Sequence, residues 1–148
     1  MTIICYRDGV MAADTASFIS RHEARIPGNT TKIYRLSDGS LFGGAGKSLD
    51  IQKVRDWIEN GRHGPLPSDV DATCLWVWGN GRPFIIDGNY IEEFDGPFFA
   101  IGSGASAALG AMWADKSAEE AVRIAMLVDP YCGGKIGILR LEDGKHHA

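Results

Sequence analysis

The most informative stretch is Met1-Thr2-Ile3-Ile4-Cys5-Tyr6-Arg7-Asp8-Gly9-Val10-Met11-Ala12-Ala13-Asp14. It predicts two short strands joined by a tight turn at Asp8-Gly9, because an Asp-Gly pair between apolar runs is typical of a two-residue hairpin. Chain termini are normally frayed unless something holds them in place. A strand that starts at Thr2 therefore points to a task for the terminal residue. Removal of Met1 would leave a threonine that carries a free amine.

Length and composition favour a soluble protein with one domain spanning residues 1–148. Hydrophobic residues make up 45% and charged residues 23%, which is ordinary for a globular chain. The net charge of −4 and the scattered Lys and Arg residues argue against a nucleic-acid partner. No apolar run approaches the roughly 20 residues of a membrane span. We therefore expect a cytoplasmic protein, or one in the host cytoplasm if a phage encodes it, with no membrane contact.

The spacing of the cysteines and histidines along the sequence does not indicate a metal site. Cys5, Cys74 and Cys132 are odd in number and widely separated, which disfavours a disulfide framework and a zinc site. No two of the four histidines form an i, i+4 pair with an acidic neighbour. We expect no metal and no cofactor.

The rest of the chain alternates between hairpins and helices. Apolar periodicity predicts strands over residues 32–36, 40–45, 72–78, 83–87, 90–94, 98–101 and 135–141, and helices over 48–60, 104–114 and 117–128, with residues 15–29 as a loop. Ser48 is expected to cap the first helix, and Ser117 with Glu120 forms a capping box for the last. Hairpins predict antiparallel sheets, and the helices would lie outside them. The fold class is therefore α+β, a sandwich of two antiparallel sheets flanked by helix layers.

Three residues of the early hairpins have side chains suited to nucleophilic catalysis. The hydroxyl of Thr2 needs a base, and a terminal α-amine, with an ordinary pKa of about 7.7 to 8.0, could supply one. Lys32 would lower the proton affinity of that amine, and Asp14 would hold the lysine charged. Taken singly, the same residues are better explained as the ends and edges of strands.

A glycine-rich stretch, residues 41–48, offers two interpretations. Its Gly46-Lys47-Ser48 ending and the helix that follows resemble a phosphate-binding loop. Leu41 stands where the first glycine of that motif should be, and the surroundings are hairpins rather than parallel strand-helix-strand units, so nucleotide binding is a third-ranked alternative. Glycines also let a backbone approach a substrate closely, where an amide can stabilise an oxyanion.

Two further segments, residues 101–104 and 129–134, place Gly, Ser and Asp at a helix start and a helix stop. Each segment alone is explained by the common role of Gly, Ser and Asp at helix ends.

Taken together, these stretches resemble the proteasome β-subunit family, and within it HslV and its small phage and bacterial relatives. Over nearly the whole chain five features follow in family order: the opening residues 2–15, the Lys32-Ile33 pair, the Gly-Ala-Gly of residues 44–46, the Gly-Ser-Gly of residues 102–104, and Asp-x-x-Cys-Gly-Gly over residues 129–134. The resemblance implies the four-layer αββα sandwich of N-terminal-nucleophile (Ntn) hydrolases. It also implies that Met1 is removed to expose Thr2.

The resemblance also implies a role for each site residue. Thr2 would be nucleophile and base, Asp14 and Lys32 its charge partners, and the Gly46 amide the oxyanion donor. Ser103 and Asp129 would complete the hydrogen-bond network around the α-amine, with Cys132 where the family usually has serine. Residues near the pocket for the side chain preceding the cleaved bond would be Gly44, Ser48 and Gln52.

The leading hypothesis is thus a threonine peptidase that hydrolyses peptides or unfolded proteins as a homo-oligomeric ring or related array, with a possible ATP-dependent unfoldase partner. The alternative is a catalytically inactive structural or assembly protein, which follows if Met1 stays attached. The chain departs from the family in its short Asp8-Gly9 hairpin and in residues 61–70, which have no room for the family's second long helix.

Overall fold

The computed structural model describes residues 1–19 and 23–142. Its elements in chain order are β1 (Ile4–Arg7), β2 (Val10–Ala13), β3 (Phe18–Ile19), β4 (Ala24–Arg25), β5 (Ile33–Arg35), β6 (Leu41–Gly46), α1 (Ser48–Glu59), β7 (Ala72–Val77), β8 (Pro83–Asp87), β9 (Tyr90–Glu93), β10 (Phe98–Ile101), α2 (Ala105–Trp113), α3 (Ala118–Val128) and β11 (Gly137–Arg140).

Two antiparallel sheets form the centre of the molecule. One has the strand order β10-β1-β2-β11 and the other β5-β6-β7-β8-β9. The predicted first hairpin is present, with Ile4 opposite Ala13 and Arg7 opposite Val10. Its turn residues Asp8 and Gly9 both have positive φ, 52° and 78°, as a tight two-residue turn requires. β1 is an inner strand that begins at Ile4, so Thr2, where the sequence predicts the strand to start, lies just before it.

Alternation along β1 and β2 separates two layers of the core. Ile3, Cys5 and Ala12 pack against α2 and α3. The intervening Ile4 and Met11 face the second sheet. Since successive strand residues point to opposite faces, a strand buried on both faces is apolar throughout.

The fourth layer is α1, which covers the outer face of the second sheet. Its Val54 and Ile58 pack on Phe42, Cys74 and Trp76. The layer order is therefore helix, sheet, sheet, helix pair, and the predicted four-layer αββα sandwich is confirmed. Within residues 1–19 and 23–142, no helix combines the length and the apolar character needed to cross a bilayer.

Some local predictions differ from the structure. Ser48 was expected to cap α1, but Lys47 occupies the cap position and makes no side-chain capping bond, so Ser48 is the first helical residue. Residues 15–29, expected as a loop, contain the strand pair β3 and β4. The capping box is as predicted: the Ser117 hydroxyl accepts from the Glu120 N–H, and the Glu120 carboxylate accepts from the Ser117 N–H.

Candidate active site around Thr2

A buried carboxylate anchors the backbone next to Thr2. Asp14 directly follows β2 and is fully buried. Its Oδ1 accepts hydrogen bonds from the Ile3 N–H and from Lys32 Nζ, each at 3.0 Å, and its Oδ2 accepts one from the Gly133 N–H at 3.1 Å. These three donors, one of them a cation, compensate the cost of burying the charge. Asp14 thereby ties together three segments that are distant in sequence.

Lys32 connects this carboxylate to the bond that precedes Thr2. It comes just before β5, and its side chain is only 9% exposed. Besides its ion pair with Asp14, Lys32 Nζ donates to the carbonyl oxygen of Met1 at 2.9 Å. The ammonium group therefore lies at the Met1-Thr2 peptide bond, held there by an acid behind it.

A second polar group lies on the other side of Thr2. Ser103 Oγ donates to Asp129 Oδ2 at 2.5 Å and lies 3.4 Å from the carbonyl oxygen of Thr2. Cys132 Sγ donates to the same Asp129 oxygen at 3.4 Å. The Tyr131 N–H donates to Asp129 Oδ1 at 2.9 Å.

These contacts determine the protonation states of Asp129 and Cys132. Burial raises the pKa of Asp129, but hydrogen bonds from Ser103, the Tyr131 N–H and Cys132 outweigh it, so the pKa lies below its ordinary value. Burial, aided by the negative charge of Asp14, raises the pKa of Cys132 to about 11. At neutral pH the site therefore holds a carboxylate at Asp129 and a neutral thiol at Cys132.

Close backbone packing fixes the carbonyl group of Thr2. Gly102 has φ of 101°, and a Cβ atom there would come within 2.1 Å of the Thr2 carbonyl oxygen. The Gly104 N–H donates to the same oxygen at 3.3 Å. Only glycine permits this close approach at position 102. The Gly-Ser-Gly segment therefore has two roles, since Gly102 lets the backbone contact the Thr2 carbonyl group and Ser103 supplies a hydroxyl group.

Thr2 opens onto a cavity of about 870 Å³. Lys32, Gly46 and Ser103 line it together with Thr2, whereas Asp14, Asp129 and Cys132 lie behind these residues as hydrogen-bond partners. All seven residues proposed for catalysis are thus brought into one connected group. Their roles remain predictions.

The residues expected near the specificity pocket, Gly44, Ser48 and Gln52, also line the cavity. The lack of a side chain at Gly44 would by itself be expected to leave room in the pocket, but the structure has no open space there. A Cβ atom there would lie 2.6 Å from Cγ2 of Ile51, so the Ile51 side chain fills the room beside the glycine.

Sequence reasoning did not single out several lining residues. Tyr34 and Arg55 line the cavity, and the Arg55 guanidinium lies 3.9 Å from the centre of the Tyr34 ring. Signals for both were present: Arg55 follows Ser48 and Gln52 at helical spacing, and Tyr34 follows Lys32 at strand spacing.

The other site types considered from sequence find little support in the geometry. A single residue, Lys47, separates β6 from α1, and β6 is flanked by antiparallel strands, so the glycine-rich stretch forms no extended phosphate-binding loop. Within the described ranges 1–19 and 23–142, no three His, Cys, Asp or Glu side chains are grouped to hold a metal ion. His22, His146 and His147 lie outside those ranges.

Comparisons with known proteins agree with this architecture. No family model matches the sequence. The ATP-dependent protease subunit HslV of a Nitratiruptor species is 29% identical, over 96% of this chain and 97% of the relative.

Two solved structures share the fold. BPH from Thiobacillus denitrificans, in complex with epoxomicin, aligns with a TM-score of 0.67 and 22% identity over 95% of this chain and 98% of that one. Eukaryotic HslV from Trypanosoma brucei aligns with a TM-score of 0.68 and 18% identity over 94% and 98%. The chain is thus similar to HslV along nearly its whole length, and it shares the Ntn-hydrolase fold of these two structures.

Proposed function

We propose that this chain is a threonine peptidase whose nucleophile is the hydroxyl of Thr2, exposed by removal of Met1. The observation that carries the proposal is Lys32: its ammonium group is ion-paired with buried Asp14 and reaches the backbone immediately before Thr2. A lysine held charged at that point stabilises an alkoxide and lowers the proton affinity of a neighbouring amine.

The chemistry follows from these groups. The freed α-amine of Thr2 takes the hydroxyl proton while Oγ attacks the substrate carbonyl carbon, and the Gly46 amide stabilises the resulting oxyanion. The C–N bond breaks, and the proton passes from the α-ammonium to the leaving amine. Water, activated by the same α-amine, then hydrolyses the ester and restores Thr2. Ser103 and Asp129 hold the amine in place, and Cys132 supports Asp129.

The N-terminal amine is essential to this scheme. While Met1 is attached, the nitrogen of Thr2 belongs to a peptide bond and cannot accept a proton. An intact chain that keeps Met1 would be an inactive component of an assembly, which is the alternative function.

The test uses protein that lacks Met1, confirmed by intact mass. Incubation with a threonine-directed epoxyketone should add one inhibitor mass at Thr2, and small fluorogenic peptides should be hydrolysed. Thr2→Ala should abolish both, whereas Thr2→Ser, which keeps a hydroxyl, should retain measurable labelling. Absence of both labelling and turnover in the Met1-free protein contradicts the proposal. Quantitative retention of Met1 in protein from its native host supports the inactive alternative.

We further propose that the chain acts in the cytoplasm on unfolded polypeptides, as a homo-oligomeric ring or related array served by an ATP-dependent unfoldase. The support is its similarity, over 96% of its length, to an ATP-dependent protease subunit HslV. Light scattering should give a mass that is a multiple of the 16.0 kDa chain. A purely monomeric enzyme would contradict the assembly but leave the chemistry intact.

A further inference from the structure

We propose that the cavity beside Thr2 selects an acidic side chain preceding the cleaved bond, and that Arg55 is the residue that recognises it. The inference rests on the proposed peptidase function and specifies its substrate class.

The position of Arg55 suits this role. Ser48, Gln52 and Arg55 are spaced four and three residues apart on α1, so all three lie on the helix face that lines the cavity. The Arg55 guanidinium lies 3.9 Å from the centre of the Tyr34 ring. Stacking on an aromatic ring occupies the face of a guanidinium and leaves its N–H edge available for hydrogen bonds. The ring therefore holds Arg55 ready to bind a carboxylate.

Among the charged side chains that line the cavity, that of Arg55 has no carboxylate partner in residues 1–19 and 23–142. Four charged residues line it: Lys32, Lys47, Arg55 and Asp71. Lys32 is paired with Asp14 at 3.0 Å, and Lys47 faces Asp71 at 3.7 Å. Among residues 1–19 and 23–142, no carboxylate lies within 4.0 Å of the Arg55 guanidinium. A bound acidic side chain would supply the missing partner.

The alternative of a deep apolar pocket is disfavoured by the packing of Ile51. Its side chain fills the space beside Gly44, so the missing side chain at position 44 adds no apolar depth to the cavity there. An apolar substrate side chain would also cover Arg55 without giving its N–H groups an acceptor, which is costly. The same site therefore both attracts an acid and penalises an apolar group.

The test compares peptide substrates that differ only at the residue preceding the cleaved bond, with Glu, Gln, Leu or Lys there, on Met1-free protein. Glu and Gln have nearly the same shape, so their ratio of kcat/KM isolates the charge. We expect Glu to exceed Gln by roughly ten- to hundredfold, as a hydrogen-bonded ion pair provides. The ratio should fall as salt is raised.

Variants assign the preference to Arg55. Arg55→Gln should bring the Glu-to-Gln ratio close to one, Arg55→Lys should keep part of it, and Arg55→Glu should shift preference towards Lys. Lys53→Gln is the matched control, because Lys53 lies on the same helix but outside the cavity lining, with its side chain 51% exposed, and it should leave the ratio unchanged. Circular dichroism and melting temperature establish that each variant is folded.

The outcomes distinguish the acidic specificity from the peptidase function on which it rests. Turnover of Leu or Lys substrates at least as fast as Glu, or a Glu-to-Gln ratio that survives Arg55→Gln in the folded variant, overturns the acidic specificity and leaves the peptidase standing. No turnover of any substrate overturns the proposed function and this inference with it.

Discussion

At the scale of single residues, the site depends on a buried acid that several donors share. Asp14 is fully buried and accepts two backbone N–H groups as well as Lys32 Nζ. The two backbone bonds hold β1 and the Gly133 segment, so Asp14 has a structural role alongside its proposed electrostatic one. Loss of the lysine alone would leave a carboxylate that is hydrogen-bonded but has lost its cation.

Lys32→Met should therefore lower stability as well as abolish activity. Removing one partner of a hydrogen-bonded charge pair with little exposure costs about 1.5 to 3 kcal/mol, and urea unfolding measures it. Lys53→Met is the control, since the Lys53 side chain is 51% exposed where it pairs with Asp50 at 3.5 Å, so solvent screens its charge. Such a pair contributes about 0.2 to 1 kcal/mol. Equal losses of stability in the two variants would contradict a larger contribution from the Lys32–Asp14 pair.

The lowered pKa of Asp129 predicts a pH effect. Its folded pKa lies below the ordinary value of 3.8, so its stabilising contribution is present above pH 3.8 and is lost as the pH falls through the folded pKa. Ser103→Ala removes a donor to the carboxylate and should move that pKa upward, so that protonation occurs at higher pH. Titration of the Asp129 carboxyl carbon by NMR measures this shift.

Cys132→Ser changes the other side-chain donor to Asp129 and is compared with Ser103→Ala. A hydroxyl donates more strongly than a thiol, so the pKa of Asp129 should fall slightly or stay where it is. If Ser103→Ala left the pKa unchanged, the 2.5 Å contact between Ser103 and Asp129 would not be setting it.

At the scale of elements, the junction between β6 and α1 brings the helix to the cavity. Gly46 ends β6 opposite Ala72 with φ of 128°, and Lys47 alone connects it to α1. The backbone turns so sharply that a side chain has no place at position 46. The Lys47 N–H donates to the Asp71 carbonyl oxygen at 3.0 Å, which continues the pairing past the strand end.

Gly46→Ala should therefore destabilise the fold and impair catalysis. A Cβ atom there would lie 2.5 Å from the Asp71 carbonyl oxygen and 2.7 Å from the Ala72 Cα, both backbone atoms that cannot move without opening the sheet. We expect a loss of at least about 2 kcal/mol from backbone strain and the clash. Gly79→Ala is the control, since nothing lies within 4 Å of its added Cβ. Thermal melting of the two variants compares them, and a neutral Gly46→Ala would refute the argument.

At the scale of the whole molecule, the two sheets are joined by an apolar layer. Leu75 on β7 is completely buried there, in one cluster with Ile4 and Met11 from the first sheet. This layer fixes β1, and therefore Thr2, relative to the second sheet that supplies Lys32 and Gly46.

Leu75→Ala should consequently cost about 2 to 5 kcal/mol, the range for a leucine truncated in a well-packed core. Leu127→Ala makes the same chemical change on a side chain that is 83% exposed and should have little effect. Denaturant unfolding with both variants provides the measurement. A similar loss at the two positions would show that the sheets are not held by this layer.

The parts of the fold that follow from local rules were predictable. The Asp8-Gly9 turn and the capping box of Ser117 each depend on neighbours within a few residues. The predicted Ser48 cap is wrong because the sharp turn at Gly46 places Lys47 at the cap position, where its N–H donates to the Asp71 carbonyl oxygen. The strand pair of β3 and β4 was missed since each strand has two residues, too few to show a period.

By itself the sequence determined which chemistry is available: a threonine able to become the terminal residue, a lysine and acids to control its proton, and apolar strands that had to be buried on both faces. Only the tertiary structure decided which groups meet. The Gly133 N–H reaches Asp14 across 119 residues, Ile51 fills the space beside Gly44, and Arg55 stacks on Tyr34. The physical reason is that local spacing sets the face on which a side chain lies, whereas its partner is set by the packing of layers that are far apart in the chain.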